Sequence, residues 1–297
     1  MIALDMNQLS GRLRQDEPMS KHTSWRVGGL ADQYYVPANL ADLQIFLSMQ
    51  DVETPITWVG LGSNMLVRDG GIRGVVIAPL GGLKELYLDD QGLVYAQCGL
   101  SNSKVARFCD NNNLSGAEYL AGIPGTIGGA LTMNAGAFGH QTWDLVEQVT
   151  MINRKGELIE RYPNEFEISY RDVRIPPDEW FVAGRLRLGK KVEGQNNEIK
   201  QLLQKRNDSQ PIGLPSCGSV FKNPPGKHSA QLIESAGLKG YCMGSACVSE
   251  KHANFIISKN GTKASDIEAL IGFIQKTIKQ QFDVSLETEV RIVGEVL

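Results

Sequence analysis

Between Tyr119 and Trp143 the chain runs without an Asp, Glu, Lys or Arg, and six residues of that stretch are glycine. A charge-free run of this length resembles a membrane span at first sight. Its interior argues otherwise. The glycines, with Pro124, Thr126, Thr132 and Asn134, are too many breakers and polar groups for a lipid-facing helix. The stretch reads instead as backbone wrapped closely around something. Glycine is in excess overall, 32 of 297 residues, against a usual figure of about 7%.

The length corresponds to about two domains and allows a sizeable core. Thirty Lys+Arg against 33 Asp+Glu leave a net charge of −3. Such a balance gives no general attraction to nucleic acid or an anionic membrane, so a polyanion would need a local site. The first 18 residues carry Asp5 and no apolar segment, which argues against a secretory leader. Five cysteines (98, 109, 217, 242, 247) make an odd count with no C-x-x-C and no histidine at a ligand spacing. Disulfide and metal readings are both disfavoured, and the chain reads as cytoplasmic and reduced.

Along the chain, Ala41–Gln50 reads as a helix with Leu43, Phe46 and Leu47 on one face, and Pro55–Val59 and Gly74–Ala78 as strands. Leu86–Leu88 with Leu93–Gln97, and Gln148–Asn153 with Glu157–Arg161, read as hairpins. Ser103–Asn111 and Glu198–Asp208 read as helices, and Phe181–Leu188, His252–Ser258 and Val284–Val293 as strands. A short helix ends at Ala236-Gly237. Ser265-x-x-Glu268 reads as a capping box opening a helix whose stripe is Ile267, Leu270, Ile271, Ile274 and Ile278. The polar segment Gly189–Asn197 marks a domain boundary. Recurrent hairpins without a regular βαβ period favour an α+β fold.

Five segments could carry chemistry. The strand feeding Gly60-Leu-Gly62-Ser63-Asn64 offers backbone N–H groups and side-chain donors suited to a phosphate; a ligand-free tight turn is the alternative. It is not a Rossmann fingerprint, since Met65 stands at the third glycine position. Ala121-Gly-Ile-Pro-Gly-Thr-Ile-Gly-Gly129 could reach positive φ and approach a flat ring or diphosphate, or form a close-packed contact. Ser169-Tyr-Arg171 places an arginine in a strand context, as a carboxylate clamp or an ion-paired surface group. Pro215–Pro224 crowds Gly218, Ser219, Lys222 and Asn223, as a small-molecule site or a helix-capping loop. Glu287, Glu289 and Arg291 alternate along the last strand, by default a solvated face. Cys217 is a reactive thiol or a small buried side chain.

Together these segments resemble one family, the bacterial UDP-N-acetylenolpyruvoylglucosamine reductases. The resemblance rests on 22–29 (HTSWRVGG), 60–64 (GLGSN), 121–130 (AGIPGTIGGA), 134–137 (NAGA), 169–171 (SYR), 218–224 (GSVFKNP), 232–234 (LIE), 237–240 (GLKG), 249–255 (SEKHANF) and 289–291 (EVR), in family order. It implies a two-lobed FAD-binding portion of the vanillyl-alcohol-oxidase type over 1–190, with lobes of about 1–80 and 81–190. An α+β substrate domain follows over 191–297. It implies non-covalent FAD held by Gly60, Gly62, Ser63, Asn64, Gly122, Ile123, Pro124, Gly125, Thr126, Gly128, Gly129, Asn134, Ala135 and Gly136. NADPH is the implied co-substrate and UDP-N-acetylglucosamine enolpyruvate the acceptor, with no metal and no obligate protein partner.

By the same resemblance, hydride reaches C3 of the vinyl ether through the flavin, Arg171 and Glu289 stabilise the enolate-like charge, and Ser219 protonates C2. Glu289 would be protonated or share a proton. Arg206, Lys222 and Asn223 are the implied substrate contacts. The short Arg171–Ser219 connection matches the compact type without an inserted tyrosine loop. Gln231 and Cys247 depart from the family pattern. Two rival readings remain at this point: an FAD-dependent sugar-lactone or alcohol oxidase, and a non-catalytic nucleotide-binding module.

Overall fold

Short hairpins recur along the chain: Leu86–Leu88 with Val94–Gln97, Val146–Asn153 with Leu158–Arg161, Glu167–Ser169 with Asp172–Arg174, and Cys242–Met243 with Ala246–Val248. A computed structural model describes residues 9–192 and 197–297. Met1–Gln8 of the N-terminal stretch and residues 193–196 of the expected boundary segment lie outside the described residues. One antiparallel sheet has the order Leu158–Arg161, Val146–Asn153, Glu179–Leu186, Val94–Gln97, Leu86–Leu88. A four-stranded sheet has the order Arg12–Pro18, Leu30–Val36, Ile72–Ile77, Ile56–Trp58, its last two strands parallel. Mixed helices and largely antiparallel strands make the fold α+β.

The contacts divide the chain into two compact units. The first holds the described residues up to Arg14, Tyr34–Gly60 and Val75–Gln204; the second holds Gln15–Gln33, Leu61–Gly74 and Lys205–Leu297. This differs from a single cut near residue 190. Trp25, Val27 and Leu66 are buried in one core with residues 217–290, so the His22–Gly29 motif and the 61–74 segment belong with the C-terminal third. The Trp25 indole N–H donates to the Ile256 carbonyl (2.8 Å), and the Ser258 hydroxyl donates to the Trp25 carbonyl (2.5 Å).

In the first unit, helix α1 (Leu40–Ser48) is capped by Asn39, whose Oδ1 accepts the Asp42 N–H at 2.9 Å. Its Leu43, Phe46 and Leu47 are buried, the 3.6-residue face expected from sequence. Asp42 is buried too. Burial alone would raise its pKa, but the Tyr35 hydroxyl and the N–H groups of Ser10, Gly11 and Ala38 all donate to it and hold it below the ordinary value. Helix α2 (Asn102–Asn111) starts at Ser101. The charge-free stretch contains a helix that composition did not announce, α3 (Ile127–Met133). Beneath it Trp143, Phe166 and Phe181 form an aromatic cluster with centroids 5.0–5.8 Å apart. Among the described residues no helix is long and apolar enough to cross a membrane.

After α4 (Glu198–Ser209) and α5 (Ser229–Ser235), the second unit is built on α6 (Ala264–Phe282). The stripe Ile267, Leu270, Ile271, Ile274 and Ile278 is buried as expected. The cap is not the expected Ser265/Glu268 box. Asp69, about 195 residues earlier, accepts the N–H groups of Ala264 (2.9 Å) and Ser265 (3.0 Å), while Glu268 pairs with Arg68 (2.7 Å). The last strand is also shorter: Arg291–Val293 pairs in parallel with Met65–Val67, and Thr288 makes a single bridge to Phe221. Likewise only Ile256–Ser258 is strand, because Phe255 N–H donates back to the His252 carbonyl in a turn (3.0 Å).

The disfavoured disulfide is present, between Cys242 and Cys247. A two-residue turn at Gly244-Ser245 makes these residues direct cross-strand partners with Cα atoms 4.1 Å apart. An odd cysteine count excludes complete pairing but not one hairpin bridge. Cys98, Cys109 and Cys217 are free thiols, all buried.

Candidate active site

The glycines of the first unit's site segment mostly make room for protein. A Cβ on Gly60 would meet Thr126 Oγ1 at 2.5 Å, and one on Gly128 would meet the Cys98 Cβ at 2.9 Å. Of the glycines in 121–129 only Gly125 has positive φ (+140°); the others do not need the left-handed region. The first-turn amides of α3 are engaged as well. Ile127 N–H donates to Leu100, Gly128 N–H to Cys98, and Gly129 N–H to the capping Thr126 hydroxyl (2.9, 3.0 and 3.4 Å). Gly129 is the open one, since a Cβ there would find only Thr126 Oγ1 at 3.8 Å.

Asn102 was missed by sequence reasoning. Fully buried at the start of α2, it donates from its main chain to Gly125 (3.1 Å) and from its amide to Ile123 (3.3 Å). Its Oδ1 is buried without a partner among the described residues. Only the fold places it beside Ile123–Gly125, so no local pattern signals it.

Asn134 ends α3 in the left-handed conformation (φ +45°). Its Oδ1 accepts Trp143 N–H (3.1 Å), and its Nδ2 donates to Gln141 Oε1 and to the Ser169 carbonyl (both 3.0 Å). The Ala135 carbonyl receives the Thr142 N–H and hydroxyl (2.9 and 2.7 Å). Arg171 donates to the carbonyls of Asn134 (3.3 Å) and Gly136 (2.5 Å). It sits not within a strand, as expected, but in the turn joining Glu167–Ser169 to Asp172–Arg174, with φ +58°. That turn lets a long cation leave the hairpin and lie against the end of α3. Gly136 is required there, because a Cβ would stand 3.0 Å from Arg171 Nη1 and 2.3 Å from the His140 carbonyl.

In the second unit, Gly62 (φ +65°) passes so close to His22 that a Cβ would lie 2.0 Å from its carbonyl. The N–H groups of Leu61 and of buried Gly62 find no partner among the described residues. Asn64 ties this loop to the last segment: its Nδ2 donates to the Glu289 carbonyl (3.0 Å) and its carbonyl accepts Arg291 N–H (3.1 Å).

Ser219 follows Gly218, whose φ of +71° turns the chain. The next carbonyl, Val220, accepts the N–H groups of Glu289 (2.8 Å) and Val290 (3.3 Å), and Lys222 N–H donates to Glu287 (2.9 Å). Val220, the residue after Ser219, is thus paired through the main chain with Glu289, about 70 residues away. Lys222 Nζ lies 3.8 Å from Glu287 Oε2. Asn223 Oδ1 accepts Ser229 N–H (3.0 Å), so the helix-capping reading of this loop also holds. Arg206 reaches Gln210 Oε1 (2.9 Å) and has no carboxylate within ion-pair distance among the described residues; burial lowers its pKa. Cys217 is buried, which pushes its thiol up to about 12, so it is not a reactive thiolate.

Residues 31–161 match an FAD binding domain, and residues 210–293 match the UDP-N-acetylenolpyruvoylglucosamine reductase C-terminal domain. A UDP-N-acetylenolpyruvoylglucosamine reductase of Alkalilimnicola ehrlichii is 50% identical over 99% of both chains. The chain belongs to the UDP-N-acetylenolpyruvoylglucosamine reductase family. A second reductase of that name, from Methylococcus capsulatus, is 51% identical over 96% of this chain and 94% of its own. The crystal structure of the Thermus caldophilus reductase covers 96% of this chain and 100% of that one, at 28% identity and a TM-score of 0.81. The chain is a flavoprotein oxidoreductase of peptidoglycan precursor synthesis, with FAD as its cofactor. The residues present fit that cofactor: in the first unit the buried Asn102 Oδ1, and in the second the buried Gly62 N–H, each lack a partner among the described residues, which a polar ligand would supply.

Proposed function

We propose that the chain reduces UDP-N-acetylglucosamine enolpyruvate to UDP-N-acetylmuramate at the expense of NADPH. The observation that carries this reading is the pairing of Val220 with Glu289, which sets a serine hydroxyl and a carboxyl group on adjoining segments. FAD, when bound, supplies the hydride chemistry between NADPH and C3 of the vinyl ether. Gly60–Asn64, Gly122–Gly129 and Asn134–Gly136, with Asn102 added, would hold it.

The chain's own residues handle charge and proton. Hydride arrival at C3 leaves an electron pair on C2 and the adjoining carboxylate. Arg171, together with Glu289 carrying or sharing a proton, stabilises that charge with donors in place before the reaction begins. Ser219 then breaks its O–H bond and forms the C2–H bond, and solvent restores its proton. Serine is a weak acid, but an enolate-like carbon is basic enough to take the proton when held in line. Arg206, with no carboxylate within ion-pair distance among the described residues, and Lys222 are suited to the anionic groups of the substrate. Asn223 retains its Nδ2 for the same purpose while its Oδ1 caps α5.

Stopped-flow absorbance of the two half-reactions tests the assignment. Ser219→Ala is expected to keep flavin reduction by NADPH and to slow reoxidation by the enolpyruvyl substrate about 100- to 10,000-fold. Reoxidation at the wild-type rate would remove Ser219 from the acid role.

A further inference from the structure

We infer that Asn254 is a positioning residue for Ser219, acting through the main chain of Val220 and Phe221; the inference rests on the acid role proposed above. Asn254 is 4% exposed and none of the expected roles uses it. Its Oδ1 accepts Phe221 N–H (3.0 Å), its Nδ2 donates to the Phe221 carbonyl (2.8 Å), and its own carbonyl accepts Val220 N–H (2.9 Å). One side chain therefore reproduces both hydrogen bonds of a strand partner.

The opposite edge of the same segment is held by residues 287–290, through the Val220 carbonyl, the Lys222 N–H and the Phe221–Thr288 bridge. The two residues after Ser219 are thus clamped from both sides. Gly218, on the other side of Ser219, supplies a left-handed turn but no side chain to hold it. Serine's position is set chiefly from Val220 and Phe221. An acid as weak as serine works only when aligned, and a displacement of about 1 Å can slow a reaction about 100-fold. A buried carboxamide at this place is therefore expected to govern proton delivery and to leave electron entry alone.

The conservative variant Asn254→Asp separates positioning from bulk structure. The ionised carboxylate still accepts Phe221 N–H, but it cannot donate to the Phe221 carbonyl and repels it. On protonation it donates again. The titratable or charged groups on the packed segments are Glu250, Lys251 and His252 on its own turn, Lys222 beyond Phe221, and Glu287, Glu289 and Arg291 opposite. A wild-type pH profile run in parallel carries their titration.

At pH 8 Asn254→Asp is expected to slow substrate-driven reoxidation about 10- to 100-fold, with flavin reduction by NADPH at its wild-type rate. The ratio to wild type should recover toward one as pH falls toward 5, since burial raises the introduced carboxyl's pKa. In a Ser219→Ala background the same change should add nothing. Hydrogen–deuterium exchange of a peptide spanning 218–222 should rise at pH 8 and return at pH 5, a readout independent of turnover. Equal slowing of both half-reactions, no recovery on acidification, or additivity with Ser219→Ala overturns the inference. Should Asn254→Asp not fold, Asn254→Ser takes the same kinetic and exchange measurements, with loss confined to reoxidation expected and wild-type reoxidation overturning. Failure of the two ideas differs. Wild-type reoxidation in Ser219→Ala sinks the acid role itself, whereas slow Ser219→Ala beside unaffected Asn254 variants sinks only the positioning role.

Discussion

The turn carrying Arg171 and the segment carrying Ser219 are each fastened by a buried asparagine, and the fastenings differ. Asn134 spreads its amide over Gln141, Trp143 and Ser169 and lends its own carbonyl to Arg171. Asn254 spends both ends of its amide on one residue, Phe221. A hub that joins three chain segments contributes mainly to stability, because its loss orphans several buried groups at once. A clamp on one residue contributes mainly to geometry. The contrast teaches that similar buried amides deserve different assays.

The largest stability effect that would sharpen this contrast is at the hub. Asn134→Ala should destabilise the first unit by about 3 kcal/mol, within the range for orphaned buried partners, and urea unfolding followed by tryptophan fluorescence would register it. A loss as small as that of Asn254→Ser would break the distinction between hub and clamp.

Carboxylates that accept main-chain N–H groups extend the comparison. Asp42 in the first unit collects a tyrosine hydroxyl and three N–H groups, and Asp69 in the second collects two N–H groups at the start of α6. For Asp42 the folded pKa lies below the unfolded one, so its contribution is complete above the unfolded value, near 3.9, and fades as pH falls through the folded one. Asp42→Asn is expected to lower stability at pH 7 by about 2 kcal/mol and to flatten the loss of urea midpoint between pH 5 and 3. An unchanged pH slope would show that Asp42 does not carry this linkage.

The smallest effects separate two accounts of one helix start. Asp69→Ala should lower stability by about 1 kcal/mol, the usual worth of an N-cap. Ser265→Ala should stay within about 0.5 kcal/mol. Thermal melts followed at 222 nm would decide, and the reverse order would restore the local capping box.

In α6 the apolar face is set by nearby residues and the cap by a distant one. The isoleucine stripe of α6 and the apolar face of α1 were legible, since a 3.6-residue period is a local property. The true cap of α6 was not, because Asp69 is remote in sequence. Helix α3 was hidden for a related reason. Gly128 and Gly129 are poor helix formers, and their amides are satisfied by Cys98 and Thr126 once the fold is made. The glycine loops were recognised as special, but at Gly60, Gly62 and Gly128 the space they leave is filled by Thr126, His22 and Cys98. Asn102 and Asn254, with no motif of their own, came only from the structure.

By itself the sequence determined the α+β class, the order of the family's segments and the residue types available for the chemistry. Those follow from local periodicity and from which side chains stand beside which glycines. Tertiary structure alone decided that His22–Gly29 and Leu61–Gly74 pack with the C-terminal third, that Arg171 sits in a left-handed turn, that Cys242 meets Cys247, and that Asn254 clamps the segment after Ser219. Each depends on which donors, acceptors and apolar faces meet across long chain separations, and a buried polar group accepts whichever partner the completed fold supplies.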